Sequence, residues 1–152
     1  MNVKPLNILL ADDDTDDCFF FKKALEELHI STQLTTIHDG EELMKYLSEN
    51  SENLPDVLFL DVNMPRKNGF ECLSEIKHTE KLQDLPVVIF STNKSRDTIS
   101  VLFKSGANIY ICKPHEFSHL KQVISHALTM AAEKYSKSID RSNSQVKYIL
   151  NA

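Results

Sequence analysis

The stretch "NILLADDDTDD", Asn7 to Asp17, runs from an apolar segment straight into acids, with five aspartates among the seven residues from Ala11 to Asp17. Carboxylates this close repel one another. Two of them about 4 Å apart in a partly buried setting cost roughly 4 kcal/mol at an effective dielectric near 20. Such a run is either a solvated loop or a place where something positive belongs. Which of the two holds depends on what else in the chain reaches it.

Other apolar runs recur at 57–60 ("VLFL"), 87–90 ("VVIF") and 108–112 ("NIYIC"), with a weaker one at 33–37 ("QLTTI"). Most are nearly continuous rather than alternating, which suits strands of a parallel sheet buried on both faces. Between them the apolar residues take helical spacing. Phe21, Ala24, Leu25 and Leu28 share one face, as do Leu43, Met44 and Leu47. Phe70, Leu73 and Ile76 form a third stripe, and Ile99, Leu102 and Phe103 a fourth. The longest comprises Phe117, Leu120, Ile124, Ala127, Leu128 and Ala131. Asp14 or Thr15, Asp39 and Ser95 stand where N-caps are wanted, and Gly106 where a helix closes in the left-handed region. Five strand-then-helix repeats predict an α/β fold with right-handed crossovers.

In such a sheet, ligands sit outside the carboxyl ends of the strands. Asp12 and Asp13 follow the first strand, Asp61 the third, Ser91 the fourth and Lys113 the fifth. Three carboxylates converging on one crevice call for positive charge. Lys113 supplies one, and a hard divalent cation with oxygen ligands, magnesium above all, supplies the rest. The set suits phosphoryl chemistry, with an aspartate as nucleophile and a lysine and a hydroxyl to grip phosphoryl oxygens. Each residue alone is weak, since acids before helices are usually caps or partners of the helix dipole. The ordered set is what carries the reading.

That set resembles the receiver domain of two-component response regulators, over residues 5–132. "ILLADDD" matches its acidic-pair strand end, "LFLDVNMPRKNGFE" its phosphoacceptor segment, "PVVIFST" its hydroxyl strand and "GANIYICKP" its closing Lys-Pro strand. The resemblance implies a (βα)5 flavodoxin-like fold with a five-stranded parallel sheet in the order 2-1-3-4-5. It implies Asp61 as phosphoacceptor, and magnesium (or manganese) held by Asp12, Asp13, Asp61 and the backbone carbonyl of Asn63. Ser91 and Lys113 become the groups that contact the phosphoryl, Tyr110 an aromatic switch, and Asn63, Thr92 and Asn93 the positions that tune its lifetime. The Lys113–Pro114 peptide is expected to be cis. The phenylalanine-rich first helix, "DDCFFFKKAL", leans toward single-domain regulators that partner bacterial phytochromes, some of which carry a C-terminal extension and dimerise.

The expected function is a stand-alone phosphoacceptor switch rather than a turnover enzyme. It takes a phosphoryl group from a histidine kinase or phosphotransfer protein and signals by contact with a target protein or a second copy. One alternative is a degenerate receiver that only binds. A phosphohydrolase with an aspartate nucleophile is a weaker one, because the second acid such enzymes need two residues on is here Asn63. A flavodoxin-like cofactor binder is disfavoured, since "ADDDTDD" is the electrostatic opposite of an anion cradle.

The bulk properties agree. The 152 residues suit one domain, and a net charge of −5 gives no nucleic-acid footprint. No stretch is long enough for a membrane span, and the N-terminus lacks the pattern of a signal peptide. Cys18, Cys72 and Cys112 lack metal-type spacing and read as buried free thiols, consistent with the cytoplasm. The six histidines match no site position, although His115 stands close enough to Lys113 to border it. Residues 133–152 read as a C-terminal extension, either a frayed tail or a segment that docks through Val146, Tyr148, Ile149 and Leu150 on a partner or on its own domain.

Overall fold

The computed structural model describes residues 4–136 and 148–150. Strands and helices alternate along the chain: β1 (Leu6–Ala11), α1 (Thr15–Glu27), β2 (Thr32–Ile37), α2 (Gly40–Glu49), β3 (Val57–Leu60), α3 (Gly69–Lys77), β4 (Val87–Ser91), α4 (Arg96–Lys104), β5 (Ile109–Cys112) and α5 (Phe117–Ser136). A short β6 (Tyr148–Leu150) follows. All pairings are parallel, in the order β2-β1-β3-β4-β5-β6. The expected 2-1-3-4-5 sheet is therefore present and is extended by one strand at the β5 edge. The expected tail thus begins inside α5, and its residues 148–150 pair with the chain's own β5, covering backbone groups that an edge strand would leave unpaired. Val146 and the rest of that segment lie outside the described residues.

The period of two along the strands explains why they read as continuously apolar. Ile8, Leu10, Val57, Phe59, Val88, Phe90, Ile109 and Ile111 face one side, where α1 and α5 cover them with Phe21, Leu25, Ile124 and Leu128. Leu9, Ala11, Leu58, Leu60, Val87, Ile89, Tyr110 and Cys112 face the other, under α2, α3 and α4. Phe21 anchors the first layer, with its ring edge-on to Phe59 at 4.9 Å and to Phe90 at 5.6 Å.

The caps fall where the side chains can make them. Asp14 accepts from the amides of Asp16 and Asp17, Asp39 from Glu42 and Ser95 from Thr98. Asn68 and Glu71 form a capping box at α3. Gly106 takes φ 112° after α4, a conformation that favours glycine. The three cysteines are free and buried, and no helix among the described residues is long and apolar enough to cross a membrane.

Candidate functional site

The parallel ladder continues one residue past three strands and so fixes the residues that follow them. The amide of Asp12 donates to Ile37, that of Asp61 to Ala11 and that of Lys113 to Ser91, at 2.9, 2.9 and 2.8 Å. Because β1 lies between β2 and β3, Asp12 and Asp61 end up side by side at one sheet edge. Carboxylate oxygens of Asp12, Asp13 and Asp61 lie within 4.8 Å of one another. Asp12 and Asp61 are buried and Asp13 is exposed.

Lys113 answers this charge. Its Nζ donates to Asp12 Oδ2 and to Asp17 Oδ2, both at 2.8 Å, and stands 3.7 Å from Asp61 Oδ2. It also lies over the Phe90 ring, 5.1 Å from the centroid. Burial pushes Asp61 up to about 7, with Lys113 opposing and Asp12 adding to the rise. Burial likewise raises Asp12, against its bonds to Lys113 and to the amide of Asp14. For Lys113, burial alone would lower the pKa, yet the bonds to Asp12 and Asp17 outweigh it and hold the ammonium above its ordinary value. One lysine thus leaves the acids under-compensated.

A second cluster sits at the end of β4. Ser91 and Tyr110 are fully buried. Ser91 Oγ accepts from the amide of Asn93 at 3.1 Å, and Tyr110 donates its hydroxyl to the carbonyl of Asn93 at 2.7 Å. Burial raises the pKa of Tyr110, with Ser91 opposing the rise. The hydroxyl strand and the aromatic of β5 are therefore joined through the β4–α4 loop. Thr92 is exposed on that loop, and the Asn93 side chain accepts from the amide of Ser95. Asn63 is exposed beyond Asp61, and its backbone amide opposes the rise in the Asp61 pKa.

The loop after Asp61 is held by close backbone packing. Gly69 donates to the carbonyl of Val62, and a Cβ built on Gly69 would meet the carbonyl oxygen of Asp61 at 2.4 Å. A Cβ on Gly40 would meet the carbonyl oxygen of Lys67 at 1.9 Å. The β2–α2 loop also touches the site through His38, whose Nδ1 lies 3.0 Å from the carbonyl oxygen of Asp12. Asp17 and His38 are site neighbours that sequence reading missed. His115 and His119 line a cavity of about 270 Å³ with Lys94, Lys113 and Glu116, which places His115 beside the site as expected.

One expectation is corrected. No peptide bond among the described residues is cis, so Lys113–Pro114 is trans. Trans is the lower-energy isomer for X–Pro bonds by about 0.5–1 kcal/mol.

The model of the response regulator receiver domain matches residues 8–125. The chain belongs to the response regulator receiver family. It is 31% identical over 123 residues to the probable methanogenesis regulatory protein FilR2 of Methanothrix harundinacea, covering 79% of each chain. It is 29% identical to the response regulator Rcp1 of Synechocystis, covering 79% of this chain and 84% of that one. The crystal structure of the phosphorylated cyanobacterial phytochrome response regulator RcpA superposes with a TM-score of 0.75 at 33% identity, covering 82% of this chain and 91% of that one. The Mn2+-bound form of Rcp1 superposes at 0.71 and 29% identity, covering 79% and 89%.

The acidic cluster fits a hard divalent ion on its own chemistry. Its donors are all carboxylate oxygens, and burial with mutual repulsion has already raised two of the acids.

Proposed function

We propose that this receiver accepts a phosphoryl group on Asp61 from a histidine kinase or phosphotransfer protein, in a reaction that requires magnesium, and signals as a stand-alone switch through protein contacts. The observation that carries the reading is the meeting of Asp12, Asp13 and Asp61 with Lys113 at one sheet edge. Asp12, Asp13 and Asp61, with the Asn63 carbonyl, are the groups that would hold the ion. A divalent ion there supplies charge neutralisation for the phosphoryl oxygens.

The chain's own residues do the remaining work. Asp61 offers its carboxylate oxygen as nucleophile, its backbone fixed by the ladder bond to Ala11. Lys113 moves from its carboxylate partners to the phosphoryl oxygens. Ser91 donates its hydroxyl to a phosphoryl oxygen and, because its Oγ also accepts from the Asn93 amide, draws the β4–α4 loop inward. Tyr110 is bonded to that same loop and carries the change to β5. Phosphorylation adds roughly one negative charge and new acceptors. A near-complete switch needs about 5.5 kcal/mol of differential stabilisation. A few charge-assisted hydrogen bonds at roughly 1.5–3 kcal/mol each suffice. Asn63 in place of a second acid argues for a stored phosphoryl group rather than turnover, so the protein is read as a switch, not a phosphohydrolase.

The rival is a binding-only receiver, in which the same residues are present and unused. Incubation with acetyl phosphate in magnesium or in EDTA separates the two. A hydroxylamine-labile phosphoryl group that forms only with magnesium supports the switch. A folded protein that takes no label from acetyl phosphate or from a phosphorylated histidine donor supports the binding-only reading.

A further inference from the structure

Asp17 belongs to the first turn of α1, where Asp14 caps its amide. An acid there has a sufficient role as a partner of the helix dipole, and the adjacent Asp16 fills it without touching the site. Asp17 differs from Asp16 in one respect. Its Oδ2 accepts from Lys113 Nζ at 2.8 Å, as short as the bond that Lys113 donates to Asp12, while Oδ2 of the proposed acceptor Asp61 is 3.7 Å from the same Nζ. The ammonium is therefore held by two carboxylates other than the one it must serve. The Phe90 ring closes its other side. Asp12 is fully buried within the metal-ligand set, whereas the Asp17 side chain is about one-third exposed and lies outside that set.

We propose that Asp17 is a positioning residue that tethers Lys113 toward α1 in the resting protein, so that the lysine must leave Asp17 to contact a phosphoryl group on Asp61. The proposal rests on Asp61 being the acceptor. Its consequence has two parts of opposite sign. Removing the Asp17 charge leaves the ammonium to Asp12 and Asp61, where it competes with a divalent ion. It also removes the partner that the lysine has to leave. Asp17→Asn therefore weakens magnesium binding and strengthens binding of a phosphoryl mimic. A structural role at the start of α1 would move neither in this pattern.

The test is titration of the full chain and its variants, first with magnesium alone and then with beryllofluoride at saturating magnesium. Both are followed by two-dimensional NMR that includes the Lys113 Nζ resonance. Asp17→Asn is expected to bind magnesium about threefold more weakly. It is expected to bind beryllofluoride about fivefold more tightly, and to shift the Lys113 resonance in the ion-free protein. Asp16→Asn removes the same charge one residue away and should match the wild type. Asp17→Glu, which can still reach the ammonium, should restore wild-type behaviour. Beryllofluoride binding in the wild type but unchanged or weakened in Asp17→Asn would overturn the tether and leave the Asp61 reading intact. Absence of beryllofluoride binding in the wild type would overturn both.

Discussion

The hydroxyl of Tyr110 reaches 17 residues back along the chain to donate to the carbonyl of Asn93 at 2.7 Å. This bond ties β5 to the loop that also holds Ser91. Tyr110→Phe removes it while keeping the buried ring. The expected cost is about 1 kcal/mol of global stability. The β4–α4 loop amides, Asn93 and Ser95 among them, should exchange hydrogen faster than in the wild type while β1 and β3 stay protected. Uniformly unchanged exchange would remove Tyr110 from the switch.

Gly69 carries the geometry of the loop after Asp61. A Cβ at this position would press on the carbonyl of Asp61 and on the Cα of Val62, both backbone and unable to swing away. Gly69→Ala is expected to destabilise by about 1–3 kcal/mol through overpacking. It should also slow phosphorylation by acetyl phosphate, because the strain falls on the backbone of Asp61, the proposed acceptor. Chemical denaturation and the labelling rate measure the two effects separately.

These contacts mark the limit of what the sequence shows. The strands were legible because residues such as Leu9 and Leu10 are buried on opposite faces, so no polar alternation interrupts the run. Asp12, Asp61, Ser91 and Lys113 were legible because each ends a strand of a parallel sheet. Asp17 was not, since its bond spans 96 residues and nothing local separates it from Asp16. A signal existed in its place in the first turn of α1, from which a side chain leans back over the strand ends. His38 was unread for the same reason, its partner being a backbone carbonyl of another strand end. The capping box of α3 was readable as Asn68 followed by Glu71, yet it was masked by the stronger acceptor motif around it. β6 is three residues long, too short for periodicity to declare it.

The acidity of Asp61 has a sign that can be checked. Burial places its folded pKa at about 7, above the ordinary 3.8. In metal-free protein the folded state keeps this proton where the unfolded chain has lost it. The stability it contributes is fully present below about pH 4 and is lost as pH rises through about 7. Asp61→Asn lacks this dependence. The melting temperature of the variant should exceed that of the wild type by a margin that grows from about pH 5 to about pH 8. Saturating magnesium should shrink that margin at the alkaline end, because the ion stabilises the ionised, buried carboxylate. A margin independent of pH would contradict the assignment.

Phe21 tests the packing that brings α1 to the sheet. It is fully buried against Phe59 and Phe90. Phe21→Ala is expected to cost about 3–5 kcal/mol in urea denaturation. A cost under about 1 kcal/mol would mean that α1 is held mainly by its other contacts.

The most direct measurement is the location of the phosphoryl group itself. Protein treated with acetyl phosphate and magnesium would be reduced with borohydride, which converts an aspartyl phosphate to homoserine, then digested and mapped by mass spectrometry. The expected result is homoserine at position 61 alone, with none in protein kept in EDTA and none in Asp61→Asn. Modification at another aspartate, or an equal yield in the Asp61→Asn protein, would contradict the account.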